Sequence, residues 1–294
     1  MFLDERLLDA IELILRKMRA VNEPVIVDRV ISGGSINRCY RLKAGRRTFF
    51  AKVNGTSGFK NMFAMEAEGL RTIGNTGTIA VPGVIGFGVS AEQQFLLMEW
   101  IDPGTRTCKA EYELGRKLAG LHRNSASAFG LDHDNFIGSL PQSNRLTRTW
   151  DDFFISERIE PLLKTAIDNG LISRTVVADL SLIAKTLLSR CPIEMPALLH
   201  GDLWSGNVMF TAGGEPMLID PAVYYGHREM DIAMTNLFGG FSDEFYAGYQ
   251  HEFPLEGGWR DRVDLWNLYP LLVHLNLFGV GYLPQVKTIL KRFS

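Results

Sequence analysis

Leu3, Leu7, Leu8, Ile11, Leu15 and Met18 recur at three- and four-residue intervals, so the chain opens with an amphipathic helix expected to pack on its own domain. The spacing then changes. VIVDRVI (25–31), RCYRL (38–42) and RTFFAKV (47–53) are short, β-branched or aromatic, and separated by glycine-bearing turns, which predicts three strands. KNMFAMEAEGLRTI (60–73) returns to helical spacing, and QFLLMEW (94–100) follows the Gly/Pro-punctuated VPGVIGFG as a further strand. That order predicts a small antiparallel sheet with one main helix laid across it. IDPGTR (101–106) breaks the pattern with Pro and Gly. Beyond it the chain is mostly helical, with helices expected at 109–123, 150–168, 172–190, 229–238, 242–252, 259–279 and 284–292, and loop at 124–148. The one β feature expected there is NVMF…PMLID, two apolar runs around TAGGE. The pattern predicts an α+β fold of two lobes: a sheet lobe (1–100), a crossover (101–106) and a helical lobe (107–294).

A formal charge of −2 and the absence of a Lys/Arg-rich run argue against a nucleic-acid partner. The 3 cysteines, Cys39, Cys108 and Cys191, are far apart and lack metal-type spacing, which fits reduced thiols in a cytoplasmic protein. Asp4 and Glu5 stand where a signal peptide needs positive charge, and charges interrupt every long apolar run, so no membrane association is expected.

The chemistry concentrates in LLHGDLWSGNVMF (198–210). With a turn centred on Gly213 and Gly214, two antiparallel strands would place Asn207 opposite Asp220 at the open end, with Asp202 just upstream. Singly, these are ordinary turn residues. Together, an amide and a carboxylate form an oxygen donor set suited to Mg²⁺, which keeps waters and phosphate oxygens, rather than to zinc. The Asp-x-x-x-x-Asn spacing with a later Asp is that of kinases: Asp202 as base, Asn207 and Asp220 on metal. The sheet lobe supplies the complement. Lys52 sits in the apolar strand TFFAKV, and Glu66, preferred over Glu68 because it lies nearer the face of Phe63 and Leu70, can pair with it. Gly33, Gly34 and Ser35 form a turn suited to ATP phosphates, although the full GxGxxG of protein kinases is absent. Glu99 and Ile101 offer hinge backbone groups to an adenine edge, with Met98 or Trp100 as apolar contact. The expected fold is therefore protein-kinase-like, with ATP and Mg²⁺ as cofactors.

HGDLWSGN (200–207) followed by LIDPAVYYGHREMDIAMTNLFGGF (218–241) closely resembles the fructosamine/ketosamine-3-kinase family. MFAMEAEGL (62–70), DNFIGSLPQSN (134–144), WDDFFISERIEPLL (150–163) and LYPLLVHLNLFGVGY (268–282) extend the resemblance over essentially the whole chain. It implies ATP-dependent phosphorylation of the sugar 3-hydroxyl of ketoamines, which labilises the adduct and serves deglycation. Its substrates would be a glycated amine or a glycated protein lysine, and the protein a monomer or homodimer. By the same resemblance Asp202 is catalytic, Asn207 and Asp220 hold Mg²⁺, Lys52 and Glu66 position phosphate, and His200 and Asp231 brace the catalytic loop. The arginine of the protein-kinase HRD motif is replaced by Gly201, so no catalytic-loop arginine is present to read a phosphorylated activation loop.

Trp204 and His274 are candidates for the sugar, Trp204 as a stacking surface and His274 as a polar partner for hydroxyls; each also suits core packing or a loop hydrogen bond, His274 equally so. Tyr224, His227 and Arg228 lie nearby in sequence. Cys39 is expected to be an inert strand thiol. Two alternatives remain: a kinase of the aminoglycoside/choline phosphotransferase type, and a nucleotide-binding pseudokinase. The complete catalytic set argues against the second.

Overall fold

The computed structural model of the chain describes residues 3–18, 21, 23–32, 37–56, 61–90, 92–174, 185 and 189–293. The phosphate-loop candidates Gly33, Gly34 and Ser35 lie outside these, as does most of the helix expected at 172–190.

Helix α1 (Glu5–Lys17) is capped by Asp4, whose carboxylate accepts the Arg6 N–H at 2.9 Å. It buries Leu7, Ile11 and Leu15 against a five-stranded antiparallel sheet. The strands are β1 (Val25–Ile31), β2 (Arg38–Ala44), β3 (Arg47–Gly55), β4 (Val84–Ser90) and β5 (Gln93–Glu99), in the order β1-β2-β3-β5-β4. Strand β3 is central, and its alternation assigns its residues to two cores. Phe49, Ala51 and Val53 join the α1 side, while Phe50 packs in a second cluster with Phe63 and Leu70 of α2 (Met62–Asn75) and Met98 of β5. Lys52 shares the face of Phe50, so pleat alone turns its ammonium toward α2.

The second lobe is built on α3 (Cys108–His122), α4 (Trp150–Phe153), a π-helical stretch (Phe154–Ile159) that continues into α5 (Glu160–Asp168), α6 (Glu229–Leu237), α7 (Asp243–Glu252), α8 (Trp259–Phe278) and α9 (Leu283–Phe293). Among the described residues three two-stranded ladders accompany them, where the sequence pattern predicts one: β6 (Asn135–Ile137) with β7 (Leu140–Gln142), β8 (Ala197–Leu199) with β11 (Tyr224–Gly226), and the expected β9 (Val208–Phe210) with β10 (Pro216–Leu218). Three-residue strands are too short to show alternation.

The β9–β10 register corrects the expected pairing. Leu218 opposes Val208 and the Ile219 N–H donates to the Asn207 carbonyl, so Asn207 lies opposite Ile219 rather than Asp220. The loop between the strands is odd-numbered, which shifts the ladder by one residue and would ordinarily move the side chain to the other face. Asp220 reverses this by adopting a left-handed backbone, φ +57°. The hairpin also joins the lobes: Gly104 N–H donates to Phe210 O at 2.7 Å, and Leu218 N–H to Ala80 O at 3.0 Å. Among the described residues, no helix is long and apolar enough to cross a membrane.

Candidate active site

A cleft of about 640 Å³ lies between the lobes, with Lys52, Glu66, Met98, Glu99, Trp100 and Ile101 on one side and Asp202, Trp204, Asn207, Asp220 and His274 on the other. It therefore gathers the sequence candidates among the described residues, apart from His200 and Asp231, which lie beneath the loop carrying Asp202.

Lys52 is buried, and its Nζ lies 2.6 Å from Glu66 Oε1 and 2.5 Å from Asp220 Oδ1. Burial alone would favour the neutral amine, but Asp220 and Glu66 outweigh it and hold the ammonium above its ordinary pKa. Glu68, the competitor, is exposed beside His133. At the hinge, the Glu99 carboxylate accepts the Gly83 N–H at 2.9 Å, so that side chain serves the fold.

The loop carrying Asp202 is fixed from below. Asp231, on α6, accepts the His200 N–H at 2.7 Å and the Gly201 N–H at 2.9 Å. His122 Nε2 donates to the same carboxylate at 3.1 Å. Burial would raise the Asp231 pKa, but these partners hold it below the carboxylate range. His200 donates from Nε2 to Ile219 O at 2.9 Å and accepts the Asp202 N–H at Nδ1, 3.2 Å. Both nitrogens are engaged and burial lowers its pKa, so the ring is a neutral brace. Gly201 has φ +82°, and a Cβ there would lie 2.1 Å from the Ala222 carbonyl oxygen. No arginine fits at this position.

Asn207 Nδ2 donates to Asp202 O at 2.8 Å and Asp202 Oδ2 at 3.0 Å. That leaves Asp202 Oδ1 for an incoming proton. Burial, then the neighbouring Asp220 charge, push Asp202 to about 7. Asn207 Oδ1 and Asp220 Oδ2 accept no hydrogen bond among the described residues, and both side chains line the cleft. Two free, hard oxygen donors facing a cleft fit Mg²⁺. Among the described residues no cluster of three or more His, Cys, Asp or Glu converges as a metal site.

The far end of the cleft is aromatic. The Trp204 ring lies against Gly206, where a Cβ would sit 2.2 Å from it, and meets Phe238 edge-on at 6.3 Å. Phe238 packs on His274 at 4.8 Å, and His274 on Phe278 at 5.4 Å. His274 Nδ1 donates to Pro270 O at 2.7 Å, and burial lowers its pKa, leaving Nε2 as an acceptor. Phe238, Phe278 and His122 are absent from the sequence candidates; an aromatic residue directly before the Gly239-Gly240 pair was the available signal for Phe238. Tyr224, His227 and Arg228, considered for the substrate, are buried instead. Arg228 is bound to Glu194 and to the Phe253 and Pro254 carbonyls. Cys39 is buried and its thiol is pushed up to about 11 by desolvation, which makes it inert.

Comparison with known proteins gives the family. A probable ketoamine kinase from Enterococcus faecium is 41% identical over 265 residues, covering 90% of this chain and 94% of the relative. A chloroplastic protein-ribulosamine 3-kinase from Arabidopsis thaliana is 39% identical, covering 88% and 80%. The crystal structure of a candidate fructosamine-3-kinase from Haemophilus somnus superposes with a TM-score of 0.87 at 28% identity, covering 96% of each chain. The fold is accordingly the two-lobed protein-kinase-like fold. With the fructosamine kinase family matching residues 11–294, the chain belongs to that family.

Proposed function

We propose that the protein is an ATP-dependent ketosamine 3-kinase, transferring the γ-phosphoryl group of ATP to the 3-hydroxyl of a ribulosamine or fructosamine adduct in deglycation. The observation that carries the reading is a cleft in which a charged Lys52–Glu66–Asp220 triad and a base-competent Asp202 face an aromatic acceptor end. Asp202 Oδ1 accepts the proton of the attacking hydroxyl as the new O–P bond forms. The bond from the γ-phosphorus to the β–γ bridging oxygen breaks, and ADP leaves. Lys52 holds phosphate oxygens, and backbone groups of Glu99 and Ile101 hold the base beside Met98. Asn207 and Asp220 would hold Mg²⁺, which when bound neutralises phosphate charge.

The acceptor end also separates this reading from an aminoglycoside kinase. A polycationic acceptor needs several carboxylates to itself, whereas the carboxylates among the described lining residues on that side of the cleft are Asp202 and Asp220, and Asp220 is paired with Lys52. A polyol with one amine suits an indole face and an imidazole acceptor. Incubation with Mg-ATP and ribulose-, erythrulose- or fructose-lysine is expected to give the 3-phosphate, identified by mass spectrometry and ³¹P NMR. Failure with every ketosamine, alongside turnover of an amino alcohol or aminoglycoside, would overturn the assignment.

Trp204→Ala and His274→Leu test the acceptor site. Each is expected to raise the KM for ketosamine roughly 10-fold, a loss of about 1.4 kcal/mol of binding, with the KM for ATP within about two-fold. Equal weakening of both substrates would show that these residues support the fold rather than the sugar.

A further inference from the structure

Arg158 is fully buried, yet among the described residues its guanidinium pairs with no carboxylate. The neighbouring Glu157 is taken by Arg145, at 2.7 Å, and by Ser143. Arg158 instead donates to Ser143 O at 2.5 Å, Glu157 O at 3.1 Å and Asn144 Oδ1 at 2.7 Å. Its flat face lies 4.0 Å from the Tyr224 ring centre and 4.4 Å from that of Phe153. A buried cation without an anion is costly to the fold and is retained where it secures something else. The π-helical stretch Phe154–Ile159 is what delivers it there, and such irregularities concentrate at functional sites.

What it secures is the chain that follows Asp220. Ala222 O accepts Gln142 Nε2 at 3.2 Å, Val223 O accepts Asn135 Nδ2 at 2.8 Å, and Tyr224 presents its ring to Arg158. Asn135 and Gln142 are in turn bonded to each other at 2.7 Å, and Asn144 ties Asn135 to Arg158. The β6–β7 hairpin and Arg158 thus grip residues 222–224 from behind. Immediately ahead, Asp220 is held in a left-handed conformation that a non-glycine residue keeps only when its surroundings over-determine it. Regulated protein kinases order the equivalent segment by phosphorylation, for which Gly201 here leaves no reading arginine.

We propose that Arg158 is a positioning residue that fixes residues 222–224 and thereby holds Asp220 in its metal-binding arrangement, a permanent substitute for a switchable phosphate. The inference rests on Asp220 being a metal ligand, as proposed above. Its test is metal affinity, read without turnover: free Mn²⁺ is followed by EPR in solutions of the full chain with ADP. Arg158→Met is expected to weaken Mn²⁺ binding at least about five-fold, and Arg158→Lys less, because an ammonium keeps the charge but not the flat stacking face. ADP binding without metal should stay within about two-fold of wild type. Tyr224→Leu, which removes the ring that Arg158 faces, should weaken Mn²⁺ likewise and serves if the arginine variants do not fold. A lower melting temperature with unchanged Mn²⁺ affinity in the folded variants would overturn the inference. Asp220→Asn separates the two levels: if it too leaves Mn²⁺ affinity unchanged, the metal-ligand assignment falls; if it alone weakens binding, only the role of Arg158 falls.

Discussion

Replacing Asp202 by Asn is expected to lower kcat by about 10³-fold, roughly 4 kcal/mol of transition-state stabilisation, while nucleotide binding by thermal shift stays near wild type. The amide is the same size and keeps an oxygen for the Asn207 donor at 3.0 Å, so the loop is preserved and only proton acceptance is lost. The pH profile supplies the sign. Asp202 sits at about 7 in the free protein because burial and Asp220 disfavour its charge. The active form is the carboxylate, so log(kcat/KM) should rise with unit slope up to about pH 7 and level off above it. Linkage gives an independent check. A folded-state pKa raised above the unfolded value of about 3.9 means that the folded protein binds the extra proton. This group therefore adds stability as pH falls from about 7 toward 4, and Asp202→Asn should remove that contribution. A variant retaining near-normal turnover, or an unchanged pH profile, would remove Asp202 from the role of base.

Gly201→Ala should be as damaging through the backbone. Its φ of +82° disfavours any Cβ, and that Cβ would stand 2.1 Å from the Ala222 carbonyl oxygen. Left-handed strain and overpacking together come to about 3 kcal/mol or more, a melting temperature lower by roughly 5 °C or more. Activity should drop further than stability requires. Any relaxation pulls the Gly201 N–H away from Asp231 and the His200 carbonyl away from Ala222 N–H, which loosens the catalytic loop and the Asp220 segment together. Melting within about 2 °C of wild type, with full rate, would show that the loop tolerates a side chain there.

The sequence was most informative where one residue carries an unusual charge in a regular pattern. Lys52 in TFFAKV and Glu66 on the face of α2 could be paired before any coordinates, because strand alternation and helical spacing fix their directions. The register of β9 and β10 could not. A turn of one residue more or less fits TAGGE equally well, and the left-handed turn at Asp220 that reconciles the register with the cleft has no local signal in a non-glycine residue. The two other ladders of three residues were hidden for want of length. Tyr224, His227 and Arg228 were misplaced by proximity in sequence: they follow Asp220 closely, yet the chain turns them into the core, where Arg228 meets Glu194. Phe238 and Phe278 reach the acceptor end from α6 and α8, a meeting that only tertiary packing produces.

The placement of the tryptophans has an optical consequence. Of the 5 in the chain, Trp150, Trp259 and Trp266 are buried in the helical lobe, whereas Trp100 stands at the hinge under the Arg41 guanidinium and Trp204 at the acceptor end. The latter two line the cleft, and the other three do not. On the proposed function, emission from the unlabelled protein is expected to separate the two half-sites: a Trp204→Phe chain should respond to nucleotide through Trp100, and a Trp100→Phe chain to ketosamine through Trp204.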